Sequence, residues 1–551
     1  MRRLVVVLLL VLAMPWSAAC RRDAPAAAPR KNRLVVGITQ EPDTLWMPMK
    51  QMNASEHIGR PGALSLTVFD ERWRLIPVAA ETIPTVDNGG VVLFDEGGQR
   101  RMRVTWRLRE GLRWADGAPV TADDFVFTWR LYQDPSIEIV DRTIAERVLD
   151  MAAPDARTLV VTWREPYAYY AVFRNHEVLP RHLVEPELTR LGAKLKESPY
   201  GAAPTLGGAF TIKEWVPGSH VVAVRNPHAV PAPHLDEIVW RIIPETTTLE
   251  ANLLAGSIDA ISVIGLTFDQ ALAFAARNDP RFDVVFTPAL HWEHLDLNLD
   301  NPLLADRRVR EALLLALDRQ GLVAAVFGGK LEVAHGTRPT GSPYHNAALP
   351  VRAHDVARAA ALLDEAGFRP GADGVREKDG QPLRLTLVTT AGDKLREQVA
   401  QVLVSQWRAL GVDVVIELLP AKILFGDTMR HRKFTGLAMF TWSLDPIQVN
   451  EAFWRCDQIP REDNGWRGQN FPGFCDARAD ALLAQIATEL DDGKRAAAAQ
   501  QLEAVLAEAL PQLPLYFRTE VSVIPKGFRG WRPVGILQSQ AWNAGEWAWP
   551  P

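Results

Sequence analysis

WRLREGLRWADGAPVTADDFVFTW, residues 106–129, is the stretch that decides the fold of this chain. At its start apolar residues alternate with polar ones, which predicts a β-strand. Asp116 and Gly117 form a turn pair, because glycine tolerates positive φ and aspartate hydrogen-bonds within its own turn. Thr121 has the character of a helix N-cap, and the two aspartates after it place negative charge in the first helical turn. The stretch therefore predicts a strand, a turn and a capped helix, which is typical of an α/β protein.

Three long runs of the sequence resemble one known family. Gly111–Trp129 closely resembles the signature of the family 5 extracytoplasmic solute-binding proteins, the oligopeptide- and dipeptide-binding components of ABC importers. Leu206–Asn226 is similar to a second motif of that family, although Ala209 stands where proline is usual, and Arg307–Lys330 resembles its two-helix run. The resemblance extends from about residue 33 to about residue 520 and thus covers most of the chain.

The resemblance implies an α/β, two-lobed periplasmic-binding-protein fold of the large type II form, with a mixed sheet in each lobe and an extra subdomain inserted in the first lobe. We expect two segments, near 286–292 and 515–520, to cross between the lobes, and a hinge motion to close the cleft on ligand. The expected boundaries are a signal peptide at 1–19, a flexible tether at 20–32, lobe I at 33–70 and 198–288, the inserted subdomain at 71–197, lobe II at 289–519, and a C-terminal return to lobe I at 520–551.

The N-terminus has the pattern of an export signal. Arg2 and Arg3 precede the apolar run Leu4–Ala13, which is too short to span a bilayer comfortably. The small residues before Cys20 resemble a lipoprotein processing site, which implies that this cysteine carries a lipid and anchors the protein in the periplasm or at the cell surface. Ordinary secretory cleavage after Ala19 is the alternative.

Charge and cysteine content narrow the class of protein. The chain has 551 residues and a formal net charge of −5, with charges of both signs spread along it, so nothing indicates a nucleic-acid surface. Besides Cys20 the chain has Cys456 and Cys475, which an exported compartment permits to pair. The glycine- and proline-rich segment between them predicts a long loop closed by a disulfide bond. Two separate thiols are the alternative.

The sequence shows no catalytic or metal-binding constellation with convincing spacing. His291 and His294 are three residues apart with Glu293 between them, but no carboxylate cluster of metal-binding type accompanies them. Two polar residues at the entry of a strand are the simpler interpretation. We therefore expect no enzyme activity, no metal and no cofactor. An exported hydrolase with dispersed catalytic residues stays open, because triads assemble in space.

MFTWSLDPIQVNEAFW, residues 439–454, is the stretch most informative about ligand. In peptide-binding relatives this region typically reads W-x-x-D-Y-x-D-P, and the first aspartate pairs with the α-ammonium group of the peptide. Counted from Trp442, Asp445 matches that amine-binding aspartate. Counted from Pro446, it matches the second aspartate, and the amine ligand is missing. A turn-forming Asp-Pro pair is the third interpretation.

Tryptophan provides broad apolar walls, and the chain has 18 of these residues. The predicted ligand-binding residues are Asp445, Trp442, Trp292, Trp454 and Glu41, the last in a loop resembling the cleft loop of the family. We predict a monomeric substrate-binding lipoprotein that captures peptides in the interlobe cleft and delivers them to an ABC permease in the membrane. Aromatic walls also suit sugars, so an oligosaccharide-binding member of the same family is the alternative.

Overall fold

The computed structural model describes residues 32–172, 177–536 and 541–550. The predicted signal peptide, the tether up to Lys31 and Cys20 lie outside these residues. Among the described helices, none is both long and apolar enough to cross a membrane.

The strands are, in chain order, β1 Arg33–Ile38, β2 Thr67–Phe69, β3 Leu75–Pro77, β4 Val91–Glu96, β5 Gln99–Arg107, β6 Val148–Asp155, β7 Thr158–Trp163, β8 Phe210–Val216, β9 His220–Arg225, β10 Glu237–Ile242, β11 Ala260–Ile261, β12 Phe282–Leu297, β13 Glu332–Val333, β14 Arg369–Pro370, β15 Arg376–Lys378, β16 Gln381–Pro382, β17 Arg384–Thr390, β18 Asp413–Leu419, β19 Leu437–Ser443 and β20 Gln512–Pro525.

The α-helices are α1 Asn53–Gly59, α2 Ala122–Gln133, α3 Thr143–Arg147, α4 Arg181–Leu191, α5 Thr246–Leu254, α6 Phe268–Ala276, α7 Pro302–Ala305, α8 Arg307–Leu315, α9 Arg319–Phe327, α10 Val356–Glu365, α11 Lys394–Ala409, α12 Ala421–Ile423, α13 Ala477–Thr488 and α14 Asp492–Ala509. A π-helical turn, Leu424–Met429, follows α12 directly. Short 3-10 helices occupy Met47–Met49, Gly192–Glu197, Pro199–Ala202, Glu451–Phe453, Cys456–Gln458, Glu462–Asn464 and Ala544–Glu546.

The strand, turn and capped helix predicted from residues 106–129 are confirmed. Trp106 is fully buried in β5, and α2 begins directly after Thr121. The backbone N–H of Thr121 donates to Oδ2 of Asp124 at 2.8 Å, which closes a capping box. Local side-chain chemistry thus fixes where this helix begins.

Two long strands connect the lobes. β12 has 16 residues and β20 has 14, and they pair antiparallel along most of their length. They lie at the centre of one sheet with the order β18-β17-β19-β12-β20-β11-β1-β10-β9-β8, to which β13 adds by pairing with β20. The expected separate sheets of the two lobes are therefore joined into one, because the crossing strands continue through both.

Each end of this sheet has its own apolar core. In lobe I, Leu34 and Trp240 pack with Trp531 and Trp547 of the C-terminal segment, and the two C-terminal indoles stack at 4.4 Å. In lobe II, α8 to α11 cover the sheet around Leu387 of β17. The C-terminal tryptophans therefore close the core of the lobe that contains β1.

A separate four-stranded sheet, β4-β5-β7-β6, forms the centre of the inserted region. Its core contains Trp106 and Trp163, and the same apolar cluster continues through Tyr169 to Trp292 and Trp454 of lobe II. The inserted region thus packs directly against the crossing strands and lobe II. Trp292 lies on the face of the crossing strands that is turned toward the inserted region.

Candidate ligand-binding site

The crossing strand β12 and its neighbour β19 present two chemically different faces. Trp292 lies opposite Trp442 and His294 lies opposite Phe440 in the antiparallel register. Because side chains alternate between faces, these rings share one face and Glu293 points to the other. The rings and Glu293 therefore lie on opposite faces of these strands, and Leu295 and Met439 of the apolar core share the face of Glu293.

Trp292 and Trp454, both predicted to contact ligand, are built into a buried chain of groups. Trp292 is 1% exposed and stacks on His294 with ring centroids 4.2 Å apart. Nε2 of His294 lies 3.1 Å from Oδ1 of Asp296, which also accepts a 2.6 Å hydrogen bond from Gln512. The indole N–H of Trp454 donates to Oε1 of Gln512 at 2.8 Å. In this conformation both tryptophans are buried among other side chains.

Of the three predicted tryptophans, Trp442 is half-buried and the other two are buried. Trp442 lies at the end of β19 and stacks on Phe453, with ring centroids 4.2 Å apart and an interplanar angle of 21°. Phe471 lies nearly parallel to it at 6.0 Å, and Phe440 meets it edge-on at 5.1 Å. Phe425, which is 40% exposed, packs edge-on against Phe440 at 5.6 Å. We call these five rings the aromatic wall.

Asp445 lies in the turn that follows β19. Its Oδ1 accepts hydrogen bonds from the N–H groups of Ile447 at 3.0 Å and Gln448 at 2.9 Å. Its backbone carbonyl accepts from Nη1 of Arg338 at 2.5 Å, and the residue is 9% exposed. These contacts fit the turn-forming interpretation that the sequence left open.

The inserted region reaches this turn through a tyrosine-rich segment. The hydroxyl of Tyr169 accepts a 3.1 Å hydrogen bond from the N–H of Val449, and the N–H of Ala168 donates to the carbonyl of Ala487 at 2.9 Å. Both contacts join the inserted region to lobe II. The inserted region and lobe II are therefore in contact close to Asp445.

Glu41, also predicted to line the cleft, is engaged elsewhere. Its Oε1 accepts from the N–H of Gly218 at 2.7 Å and from the indole N–H of Trp215 at 3.3 Å. Gly218 is in the turn between β8 and β9, with φ +71°. Glu41 thus fastens its loop to this hairpin, and the structure does not bring it into contact with Asp445.

A small cavity with a mostly apolar lining lies beside Trp292. His335, Thr337, Glu503 and Gln512 contribute polar groups to its lining, and the cavity leaves about 20 Å³ for the centre of a water molecule. That is room for a single water. Burial raises the pKa of Glu503, whose carboxylate accepts a 2.8 Å hydrogen bond from the N–H of Thr337. Occupation by anything larger requires the site to open.

The opposite face of β12 carries a buried ion-paired cluster that sequence reasoning missed. Glu293, wholly buried, accepts from Nε of Arg396 at 2.7 Å and from Nε of Arg518 at 2.8 Å. Burial by itself would raise the pKa of Glu293, but the two guanidinium groups lower it to about 2. The partners come from α11 and β20, so no local pattern marks them. Glu293 was noticed only as the residue between two histidines.

Cys456 and Cys475 form a disulfide bond with their Cα atoms 4.6 Å apart. Phe453 lies three residues before the first cysteine and Phe471 four residues before the second. The bond therefore ties together the two segments whose phenyl rings flank Trp442.

Comparisons with known proteins agree with this architecture. A family model described as bacterial extracellular solute-binding proteins, family 5 Middle, matches residues 100–459. The chain is 25% identical to the oligopeptide-binding protein AppA of Bacillus subtilis over 543 residues, 95% of this chain and 94% of that protein. It is 26% identical to the probable deoxycholate-binding periplasmic protein YgiS of Escherichia coli, over 98% of each chain. The crystal structure of an oligopeptide binding protein from Thermus thermophilus, complexed with a pentapeptide, is similar with a TM-score of 0.68 and 28% identity, over 95% of this chain and 97% of that one.

Proposed function

Because the chain belongs to the bacterial extracellular solute-binding proteins of family 5, we propose that it captures a peptide between its lobes and delivers it to the membrane permease of an ABC importer. The family consists of substrate-binding proteins, so the chain is not an enzyme and works outside the cytoplasm. The observation that carries the proposal is the aromatic wall, where the half-buried Trp442 and the 40% exposed Phe425 stand beside three buried rings.

The crossing strands supply a physical route for capture. Pairing between β12 and β20 is irregular from Pro288 to Trp292, where three residues of β12 lie between paired positions. Such a bulge interrupts the ladder and lets the strands bend. Opening about this point would separate the inserted region from lobe II and admit ligand, and closure would bury it.

Backbone pairing explains how one site could accept many peptides. β19 ends at Ser443, and the chain that follows turns beside the cleft. An extended ligand can pair its own N–H and C=O groups with such a strand end, as in β-augmentation. The peptide ligands of the AppA and Thermus relatives support a peptide here as well. Trp442 would then contact a ligand side chain, with Trp292 and Trp454 supporting the wall.

We also propose that the mature protein begins at Cys20 and acts as a monomer anchored by lipid to the outer side of a membrane. The support is the signal-like start and the small residues before the cysteine. A single lipid-anchored polypeptide with one cleft is sufficient for delivery, since the permease supplies the path through the membrane.

Ligand-dependent stabilisation without turnover tests the proposed function. A ligand at about 100 times its dissociation constant adds roughly 2.7 kcal/mol to the free energy of unfolding. We expect members of a short-peptide library to raise the melting temperature, with each peptide recovered intact after incubation. Hits from an oligosaccharide library with none from the peptides would overturn the peptide assignment, and hydrolysis of a bound peptide would overturn the binding-protein assignment.

A further inference from the structure

Each crossing strand carries a glutamate withdrawn from water, and the two glutamates differ in their partners. Glu293 of β12 binds two guanidinium groups, whereas Glu520 of β20 pairs with no lysine or arginine among the described residues. Oε1 of Glu520 lies 3.5 Å from Nε2 of His291, which is longer than a good hydrogen bond. Its Oε2 is buried and has no hydrogen-bond partner in the described part of the chain. Burial of a carboxylate is costly unless it is paired, so Glu520 lacks a counter-charge.

The topology places Glu520 where the parallel strands of both lobes end. β1 and β11 are parallel, and β11 runs antiparallel to β20, so both point their carboxyl ends toward the middle of the crossing strands. In lobe II, β17 and β19 are parallel, and β19 runs antiparallel to β12 and ends at Ser443, opposite His291. Glu520 pairs with Thr287 in this middle region. Ligands of open α/β sheets bind outside the carboxyl ends of the strands, which makes this region a candidate binding site.

The surroundings of Glu520 keep it in contact with solvent. The side chains of Glu520 and His291 are each 15% exposed. The hydroxyl of Ser443, an exposed residue, lies 3.1 Å from Nδ1 of His291. His291 belongs to the irregular stretch of β12 between Pro288 and Trp292, and such bulges redirect side chains. The group of Glu520, His291 and Ser443 is therefore reachable from solvent at the Ser443 side.

The remaining neighbour of Glu520 does not supply the missing positive charge. His57 of α1, in lobe I, is 4% exposed and lies close enough to Glu520 to feel its charge. Burial lowers the pKa of His57, although the charges of Glu520 and Glu56 oppose that shift. The imidazole is therefore neutral at pH 7, and Glu520 keeps an uncompensated negative charge between the two lobes.

We propose that Glu520 binds a cationic group of the ligand, an ammonium or a guanidinium, at the place where the strands of the two lobes end. Both groups carry several N–H donors and no acceptor, which suits a carboxylate oxygen that has no partner. A peptide offers this chemistry at its α-ammonium group and at a lysine or arginine side chain. The inference rests on the proposed capture of peptides between the lobes. It gives the charge-binding role to Glu520 and leaves Asp445, whose Oδ1 already accepts two backbone N–H groups, as a turn residue.

Matched peptides identify which cation is bound. A panel of lysine-containing tripeptides and pentapeptides, beginning with Ala-Lys-Ala, would be measured by calorimetry in four forms: unmodified, N-acetylated, with norleucine in place of lysine, and with both changes. The change that removes the bound cation should weaken binding at least tenfold in the wild type and less than threefold in Glu520→Gln. Equal losses in the two proteins for both changes would overturn the inference and leave peptide capture intact. Absence of binding throughout the panel would overturn peptide capture and the inference with it.

Three substitutions separate binding from folding on the protein side. Glu520→Gln should weaken binding of the unmodified peptide at least tenfold, whereas Asp445→Asn and the exposed control Glu417→Gln should change Kd by less than threefold. The melting temperature of ligand-free Glu520→Gln should equal or exceed that of the wild type, because an unpaired buried charge is removed. A lower melting temperature with unchanged peptide affinity would assign Glu520 to the fold through His291 and overturn the inference. A tenfold loss in Asp445→Asn with none in Glu520→Gln would overturn it as well.

Discussion

Glu293 on the crossing strand β12 is joined to Arg396 on α11 by a 2.7 Å hydrogen bond between two nearly inaccessible side chains. The contact ties a strand shared by both lobes to a helix of lobe II. Arg518 of the second crossing strand binds the same carboxylate. One buried carboxylate therefore joins the two crossing strands to each other and to α11, on the face opposite Trp442.

This contact predicts a loss of stability in acid. Burial opposes ionisation of Glu293, but Arg518 and Arg396 lower its pKa from 4.5 to about 2. Because the pKa of Glu293 is lower in the folded than in the unfolded state, its ionised form stabilises the fold above about pH 4.5. This stabilisation, roughly 3 kcal/mol in all, is lost as the pH falls from about 4.5 to 2. Urea unfolding between pH 6 and pH 2 should show this slope in the wild type and a shallower one in Glu293→Gln. Glu417→Gln, at an exposed site on β18, serves as the control. Equal slopes in wild type and Glu293→Gln would contradict the prediction.

Removing the helix-borne partner should be costly at any pH above 4.5. Arg396→Met keeps much of the apolar stem but leaves the carboxylate of Glu293 with fewer donors in a buried place. Breaking a buried ion pair in this way costs about 3 kcal/mol. Arg384→Met is the matched control, because Arg384 pairs with Asp373 and Asp413 at the surface and its loss should cost under about 1 kcal/mol. Chemical unfolding at pH 7 would measure the unfolding free energy of both variants. Similar losses of unfolding free energy in the two would refute the buried-pair argument.

Much of the fold was readable from the sequence, and the reason is local. Thr121 with Asp124 caps α2, and Asp318 caps α9 through a 2.8 Å hydrogen bond from the N–H of Gly321. Such signals lie within four residues of each other. The site is different. Glu293 pairs with Arg396, which is 103 residues away in the sequence, and no local pattern near either residue predicts the pair.

The predicted ligand-binding tryptophans differ in their surroundings. Trp442 is half-buried, whereas Trp454 is buried and donates to Gln512, and their contact with a ligand stays a prediction. The local sequence around a tryptophan does not show whether a helix or strand distant in sequence will bury its side chain. Asp445 shows the same limit, because the partner that holds its carbonyl, Arg338, lies 107 residues earlier.

The disulfide bond should affect both stability and recognition. It closes a segment with a sequence separation of 19, for which the chain-entropy model gives roughly 3 kcal/mol. Replacing Cys456 and Cys475 together by serine should lower the unfolding free energy by about that amount. Because Phe453 and Phe471 flank Trp442 at the two ends of the closed segment, peptide affinity should fall as well. Reductant should reproduce both effects in the wild type and have no effect on the double variant. An unchanged affinity after reduction would mean that the rings hold their places without the bond.

Lipid attachment at Cys20 predicts where the protein is found in cells. Wild-type protein should fractionate with membranes, and Cys20→Ala should be recovered in the soluble exported fraction, because the hydrophobic anchor is missing. Mass spectrometry of the mature N-terminus checks the chemistry directly. Ala27→Ser is the control, since it changes the predicted tether but keeps both Cys20 and the disulfide bond. A soluble exported wild type with a free amino group at Cys20 would rule the anchor out.

Tyr169 should control how firmly the cleft closes. Its hydroxyl accepts a 3.1 Å hydrogen bond from the N–H of Val449, across the contact between the inserted region and lobe II. Tyr169→Phe leaves that buried N–H unsatisfied in the closed form, where the cost is about 1–3 kcal/mol. In an open form water satisfies the group, so the penalty falls on closure and, at about 1.4 kcal/mol per decade, weakens ligand binding by roughly tenfold.

Tyr170→Phe is the matched control for this effect. The hydroxyl of Tyr170 donates to the carbonyl of Pro84 at 2.7 Å, a bond within the inserted region that opening does not break. Its loss should lower the melting temperature without changing peptide affinity. Small-angle scattering of the ligand-free proteins should show a larger radius of gyration for Tyr169→Phe than for the wild type or Tyr170→Phe, because the closed form is less populated. Equal affinities and equal radii in the two variants would show that the bond to Val449 stabilises the fold but does not set the balance between open and closed forms.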